Sequence, residues 1–230
     1  MAKKERKIVS ASTGKSSTKR EKKSTAGLRI GAVLLWIAAI AMEVLAILLV
    51  LGTISLINTI PTLYQMIGLL VLDLIFVIIG SQLWKKANHI NPASEKNKLA
   101  FWMWNNMGFI ISIIAFVPFI VILLLNKDTD KKTKAICTAV AAIALAIGGL
   151  ASYDFDPLSV EEQTAIIEEY TGTTVYWTKY GKVFHNDVDC SSLNRSDELI
   201  EGNIEQATEA GKYRLCKKCE SRVATETTEE

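Results

Sequence analysis

The sequence contains few of the residues that stabilise a small secreted domain, since its 230 residues include only four cysteines and two histidines. That cysteine content is too sparse for a disulfide scaffold. Three catalytic patterns are also missing, namely a nucleophile elbow, a phosphate-binding glycine loop and an HExxH helix. We therefore do not expect an enzyme.

Basic side chains are missing from a long central stretch, because no lysine or arginine lies between Ile30 and Trp84. The mean hydropathy of the chain is +0.24, and nearly all its apolar residues fall within residues 28–151. A bilayer-spanning helix needs about 20 apolar residues. Four runs fit this length and predict a four-helix transmembrane domain at residues 29–152, which excludes a single soluble globular domain. The four runs are Ile30–Leu51, Leu63–Trp84, Phe101–Leu125 and Ala135–Ala151.

The charges are strongly segregated along the chain. Residues 1–29 carry ten Lys and Arg against two Glu, whereas residues 153–230 carry seventeen Asp and Glu against eight Lys and Arg. We expect residues 1–28 to be a disordered basic tail, because they contain too few apolar residues to form a core. Such a tail can bind anionic lipid headgroups at the bilayer surface. Aromatic residues do not interleave with its basic ones, so we do not expect a nucleic-acid partner.

Lysine positions predict the membrane topology. The basic N-terminal tail and the loop Lys85–Lys98, with four Lys against one Glu, both favour the cytoplasmic side. The loop Lys127–Lys134 disagrees, because it also carries four Lys but would lie outside. We give more weight to the tail, which precedes the first helix. The expectation is a multipass protein of the cell membrane with both termini in the cytoplasm.

The remainder of the chain is predicted to be soluble. Ser159 followed by Glu162 is a capping-box pattern, and it predicts an acidic helical stalk at residues 153–172. Val175, Trp177 and Val183 alternate with other residues on both sides of a turn and predict a β-hairpin. The domain is expected at residues 173–222, followed by a disordered tail at residues 223–230.

Four potential metal ligands are concentrated in this soluble part, namely His185, Cys190, Cys216 and Cys219. The two sulfurs of a CxxC turn converge on one ion, and adding Cys190 and His185 gives a closed Cys₃His set. A domain of about 50 residues also needs the additional stability of such a metal site, because its apolar core alone is marginal. We favour one structural zinc ion, and the alternatives are a disulfide from Cys190 to the CxxC pair, a redox-active CxxC or free structural thiols.

At these residues the chain resembles the Ada-type metal-binding module, named for a bacterial alkylation-response protein. The shared pattern is VYxTxxGxxFH ending at His185, then Cys190, then GxIxxA beginning at Gly202, then the CxxC pair. In the namesake all four ligands are cysteines, and one accepts a methyl group from DNA. Because His185 replaces one of them, the resemblance implies the fold and the zinc but not methyl transfer. Around WKKANHINPASEKNK, residues 84–98, the chain also resembles uncharacterised four-helix membrane proteins of Gram-positive bacteria.

Two acids lie within the apolar runs. Glu43 is near the middle of the first run and Asp73 near the middle of the second, with no basic residue in either run. Charged and unpaired acids are costly at that depth, so we expect both to face the interior of the helix bundle. They could form a proton or cation site, a structural hydrogen-bonded pair between helices, or an assembly contact.

These features predict an α-helical membrane protein with four transmembrane helices and a small α+β zinc-binding domain. The favoured function is to display a structural zinc module at the inner membrane face for protein partner binding or scaffolding. The alternative is a small ion-coupled transporter or channel-like protein that uses Glu43 and Asp73.

Overall fold

The structure, a computed structural model, describes residues 6–11 and 24–226. These residues form two compact units. The first, the membrane unit, comprises residues 24–158. The second, the C-terminal unit, combines residues 159–226 with the short segment 6–11 from the start of the chain.

The membrane unit is entirely helical apart from its connections. Its helices are α1 (Ala26–Val50), α2 (Thr62–Ile90), α3 (Lys98–Asn105), α4 (Met107–Leu125) and α5 (Lys131–Ser152). All except α3 are long and apolar enough to cross a membrane. The prediction of four candidate membrane spans is therefore confirmed, with helix ends that differ from the predicted ones by a few residues.

Helices α1 and α2 form an antiparallel pair with a seven-residue repeat of buried positions. On α1 the repeat consists of Ala32, Ala39 and Ala46 in one row and Trp36, Glu43 and Val50 in the next. On α2 it consists of Met66, Asp73, Gly80 and Ala87 with Leu70, Val77 and Trp84. This is the spacing of coiled-coil packing, and the small residues in each row let the two backbones approach closely.

The third predicted run is divided into two helices, which sequence reasoning did not anticipate. Asn105 and Asn106 turn their side-chain amides back to the carbonyls of Phe101 and Trp102, each at 3.0 Å. Asn106 adopts a non-helical conformation, with φ −104° and ψ 24°, and separates α3 from α4. Side-chain amides of Asn compete in this way with the helical hydrogen bonds of the backbone.

The C-terminal unit is a small α+β fold. Its elements are β1 (Lys7–Ser10), α6 (Val160–Tyr170), β2 (Val175–Trp177), a 3₁₀ turn (Ser191–Leu193), β3 (Glu198–Gly202), α7 (Ile204–Glu209) and α8 (Lys217–Glu226). The sheet has the order β1-β3-β2, with β1 parallel and β2 antiparallel to β3. The predicted hairpin is reduced to one bridge between Tyr176 and His185, and β3 is the strand that pairs fully with β2.

The N-terminal tail contributes a strand, contrary to the expectation that residues 1–28 are disordered. Ile8 pairs with Leu199 and Val9 with Ile200 in the parallel ladder between β1 and β3. Ile8 and Val9 are the two β-branched apolar residues of this tail, and such residues favour strands. Residues 1–5 and 12–23 of the predicted tail lie outside the described residues, as do residues 227–230 at the other end.

The predicted acidic stalk also differs from the structure. The Ser159 side chain accepts a hydrogen bond from the Glu162 N–H at 2.9 Å, as the capping pattern predicted. However, the ring of Tyr170 packs against Phe184 at a centroid distance of 5.2 Å. Helix α6 thus contributes to the core of the C-terminal unit and is not a separate stalk.

Candidate metal centre

The four residues predicted as ligands lie together in the C-terminal unit. His185, Cys190, Cys216 and Cys219 are all buried, and each offers one ligand atom within 4.8 Å of the other three. The first and last of these residues are 34 positions apart in sequence. The fold, and not local spacing alone, therefore assembles the cluster.

The backbone around His185 fixes two of the four ligands. His185 and Tyr176 exchange backbone hydrogen bonds in both directions, each at 2.7 Å. The adjacent carbonyl of Phe184 accepts a hydrogen bond from the Cys216 N–H at 2.9 Å. The histidine is thus held against β2, and the first cysteine of the CxxC turn is held one residue away from it.

The other two ligands occupy turns next to short helices. The Cys219 N–H donates to the Cys216 carbonyl at 2.8 Å, which closes the CxxC turn at the start of α8. The Cys190 carbonyl accepts from the Leu193 N–H at 2.9 Å, so Cys190 begins the 3₁₀ turn. Each of these thiols is therefore held by local hydrogen bonds of the backbone.

The distances between ligand atoms fit one tetrahedral ion. With a Zn–S bond of about 2.3 Å and a Zn–N bond of about 2.1 Å, the ligand atoms of a tetrahedral site lie about 3.6–3.8 Å apart. The Cys190 and Cys216 sulfurs are 4.0 Å apart, and the Cys219 sulfur is 3.6 Å from His185 Nδ1. The donor set of three sulfurs and one imidazole nitrogen suits zinc, so the residues present fit this ion.

Burial and local hydrogen bonding give the thiols different acidities. Burial raises the pKa of Cys219 to about 12, and the neighbouring Cys190 adds to this effect. Burial also raises the pKa of Cys216, but the hydroxyl of Ser192, 3.6 Å away, and nearby N–H groups more than offset it and leave it below its ordinary value. These pKa shifts apply to the thiols without a metal ion, because a bound cation would stabilise all three thiolates.

Burial also affects the histidine ligand, because it lowers the pKa of His185. The imidazole is consequently neutral at physiological pH, which is the form that coordinates a metal. The three cysteines are free thiols, so the alternative of a disulfide from Cys190 to the CxxC pair has no support in the structure.

Two small apolar clusters enclose the centre. Val175, Trp177, Phe184 and Leu193 are all buried. Leu193 packs with Leu199 and the three cysteines, whereas the other three residues pack with Tyr170 and α7. The ligand atoms thus form part of the core itself.

Sequence reasoning missed a buried cation in the C-terminal unit. Lys212 is only 6% exposed, and burial lowers its pKa. Its ammonium group donates to the carbonyls of Lys179, at 3.3 Å, and Gly181. A lysine after Gly211 carries no sequence signal for burial, because such residues are normally exposed.

The two intramembrane acids lie elsewhere, inside the membrane unit, as expected. Glu43 and Asp73 are 4% and 0% exposed. Glu43 Oε1 accepts a hydrogen bond from the Phe119 N–H at 3.3 Å. Both carboxylate oxygens of Asp73 are buried, and neither has a hydrogen-bond partner among the described residues.

Comparison with protein-family models, with curated proteins and with solved structures gives no match to this chain. The resemblances to the Ada-type module and to four-helix proteins of Gram-positive bacteria therefore stay predictions from the residues that carry them.

Proposed function

We propose that this protein is a multipass protein of the cell membrane that displays a structural zinc module at the inner membrane face and binds a protein partner through it. The observation that carries this proposal is the convergence of four buried Cys and His ligand atoms within 4.8 Å in a unit separate from the four apolar helices. The Ada-like pattern of these residues supports the same assignment.

The ligand set favours a structural role for the ion. Structural zinc sites have four protein ligands, whereas catalytic sites keep one position open for water or substrate. His185, Cys190, Cys216 and Cys219 fill all four positions of a tetrahedral ion. A closed centre supports a binding or scaffolding module and does not support hydrolysis, so we propose a protein without enzymatic activity.

The pairing of β1 with β3 supports a common side for both ends of the chain. Strand β1 precedes the first membrane helix, and β3 follows the last. Two strands of one sheet must lie on the same side of a bilayer, and an even number of spans satisfies this condition. Together with the basic residues of the N-terminal tail, this favours a cytoplasmic position for both ends. The tail is then also placed to bind anionic lipids.

The test of the metal centre is elemental analysis of the purified full chain. We expect about one zinc per chain in the wild type and in Cys137→Ser, which changes a buried thiol of the membrane unit. Cys216→Ser and His185→Ala should lose the metal. Wild-type protein without stoichiometric metal, or retention in Cys216→Ser, would refute the assignment.

Topology and partner binding need separate measurements. A reporter fused after Glu230 should be active in the cytoplasm, and an external signal would reverse the proposed orientation. Crosslinking in intact membranes should then capture a protein partner with the wild type but not with Cys216→Ser. Equal capture by both would show that the metal module is not the binding element.

A second candidate function, an ion-coupled membrane protein, is favoured by one specific observation. Asp73 is fully buried among apolar helices, yet its two carboxylate oxygens have no hydrogen-bond partner in the described part of the chain. A hydrogen-bonded structural pair would have supplied one.

A further inference from the structure

The register of the antiparallel helices places the two intramembrane acids at one level. A Cβ atom added at Gly80 of α2 would lie 2.8 Å from the ring of Trp36 on α1, so these two positions face each other. Seven residues further along α1 is Glu43, and seven residues back along α2 is Asp73. Because both helices rise equally per residue, Glu43 and Asp73 lie opposite each other.

Both acids occupy the buried seam of this helix pair. Their positions belong to the seven-residue repeats of buried residues on α1 and α2. They are surrounded by the apolar cluster of the membrane unit, which includes Ala39, Leu70 and Phe119. Neither carboxyl group therefore reaches water or lipid headgroups in this arrangement.

The helices packed around the pair supply no compensating charge. Between Ile30 and Trp84 the two acids are the only charged residues, and Tyr64 is the only other titratable group. Helix α4 has no titratable residue, and α5 has only the Cys137 thiol beyond the lysines of its first turn. Among the described residues of this helix bundle, each carboxyl group therefore has the other as its only charged neighbour.

The two acids differ in their hydrogen bonding, and this difference assigns their roles. Pro118 lacks an N–H and interrupts the helical ladder of α4, and the next N–H, that of Phe119, donates to Glu43 Oε1 at 3.3 Å. A donated N–H bond favours the ionised form of a carboxyl group. Asp73 receives no such bond among the described residues, and burial without a donor favours its neutral form.

We propose that Asp73 and Glu43 form an intramembrane proton-binding site, in which Asp73 holds one exchangeable proton and Glu43 is its acidic partner. Uptake forms one O–H bond at a carboxylate oxygen of Asp73, and release breaks that bond and returns the proton to water. This site is independent of the metal module, and it specifies the ion for the second candidate function.

A proton fits this site better than a metal cation does. Hard divalent cations take six or more oxygen ligands, whereas the described side chains here provide only the two carboxyl groups. The N–H of Phe119 also directs its partial positive charge at Glu43, and this opposes the binding of a metal cation at that carboxyl group. When two carboxyl groups face each other in a low-dielectric core, one of them instead stays protonated, because both cannot ionise at low cost.

The experiment uses the full chain in lipid nanodiscs and infrared spectroscopy over a pH series. The wild type should show the carbonyl band of a protonated carboxylic acid, which shifts in D₂O and disappears as the pH is raised. Asp73→Asn should abolish this band. Asp128→Asn, which changes an exposed acid in the loop between α4 and α5, should leave it unchanged.

A chemical probe keeps the proposal testable if Asp73→Asn does not fold. An apolar carbodiimide labels protonated carboxyl groups inside membranes, and peptide mass spectrometry should locate the label on Asp73 of the wild type. Labelling should decrease with rising pH and be insensitive to sodium. Absence of both label and band would overturn the proposal, and protection by sodium at constant pH would replace the proton with a cation. Either result would leave the zinc content unaffected.

Discussion

The two units of this protein are stabilised in different ways. In the membrane unit, apolar residues fill the interior and also cover the outside, where Leu125 and Leu150 are 74% and 67% exposed. The C-terminal unit is acidic and has two small apolar clusters, one of which is built around the cysteines. We therefore expect the first unit to depend on a lipid environment and the second to depend on a bound metal ion to complete its core.

Glycines that resist substitution occur in both units, and two different physical reasons are found among them. Gly80 and Gly108 of the membrane unit allow close helix contacts, because an added Cβ atom would meet Trp36 or Ser81. In the C-terminal unit Gly172 and Gly211 instead have φ values of 83° and 80° and end short helices. Packing limits substitution in the first case, and backbone conformation limits it in the second.

Removal of the metal should produce the largest difference in stability between the two units. Structural zinc contributes an apparent ~10–16 kcal/mol to the folding of small domains, so a strong chelator should unfold residues 159–226 of the full chain. Helices α1, α2, α4 and α5 should keep their structure. Hydrogen exchange in nanodiscs measures both units in one sample, and equal protection with and without chelator would show that the C-terminal unit folds without metal.

A substitution in the membrane unit should instead destabilise that unit and leave the C-terminal unit intact. The added methyl group of Gly108→Ala would lie 2.2 Å from Ser81 Oγ and 2.5 Å from its Cβ. Overpacking of this kind costs about 1–3 kcal/mol, so thermal unfolding of the membrane unit should shift to lower temperature. Gly68→Ala is the matched control, because nothing lies within 4 Å of its new Cβ atom. Zinc content should be unchanged in both variants.

A smaller effect is expected where the start of the chain joins the C-terminal unit. The Ala11 N–H donates to the Glu201 carbonyl at 2.6 Å beside β1, and Ala11→Pro removes this donor. The loss of one hydrogen bond corresponds to about 0.5–1.5 kcal/mol. Hydrogen exchange at β3 should therefore become faster. Ala11→Gly retains the donor and serves as the control, and equal exchange in the two variants would argue against the β1–β3 ladder.

The smallest effect concerns acid sensitivity of the membrane unit. Burial raises the pKa of Asp154, but the hydrogen bond with His89, 3.0 Å away, the charges of His89 and Lys85 and the N–H of Asp156 together more than offset this effect. They hold the pKa below its ordinary value of 3.8. A lowered folded-state pKa contributes stability that is present above the unfolded value and is lost as the pH falls through the folded value. Asp154→Asn should lower the unfolding temperature at neutral pH.

The same variant should also show a weaker loss of stability on acidification than the wild type. Thermal unfolding over a series of acidic pH values measures this difference. Asp128→Asn, in an exposed loop, provides the control. Parallel pH profiles of wild type and Asp154→Asn would contradict the lowered pKa of Asp154 in the folded state.

The main elements of the fold could be predicted because their sequence signals are local. The candidate membrane helices follow from the length and apolar content of each run, and the cap of Ser159 on the Glu162 N–H is present as its spacing indicated. The ligand cluster was also predictable, because cysteine and histidine are rare in this chain. In each case, residue type and spacing carry the physical constraint.

Other features could not be predicted because they depend on distant partners. The break at Asn106 involves the backbone N–H of Asp154, which donates to the Asn106 side chain at 2.9 Å. Strand β1 is only four residues long and forms by pairing with β3. The roles of the two acids likewise depend on Phe119, a residue 76 positions away from Glu43. Such contacts have no signature in a local window of sequence.

The parallel pairing of β1 with β3 imposes an order on biogenesis. Lys7 leaves the ribosome before its partner Glu198, and the four apolar helices lie between the two in the chain. Contacts between residues so far apart in sequence form late and slowly. We therefore expect the N-terminal strand to remain unpaired while the four apolar helices are synthesised, and to join its sheet only after β3 has been synthesised. We also expect that a chaperone or a second nascent chain can bind this unpaired segment during that interval.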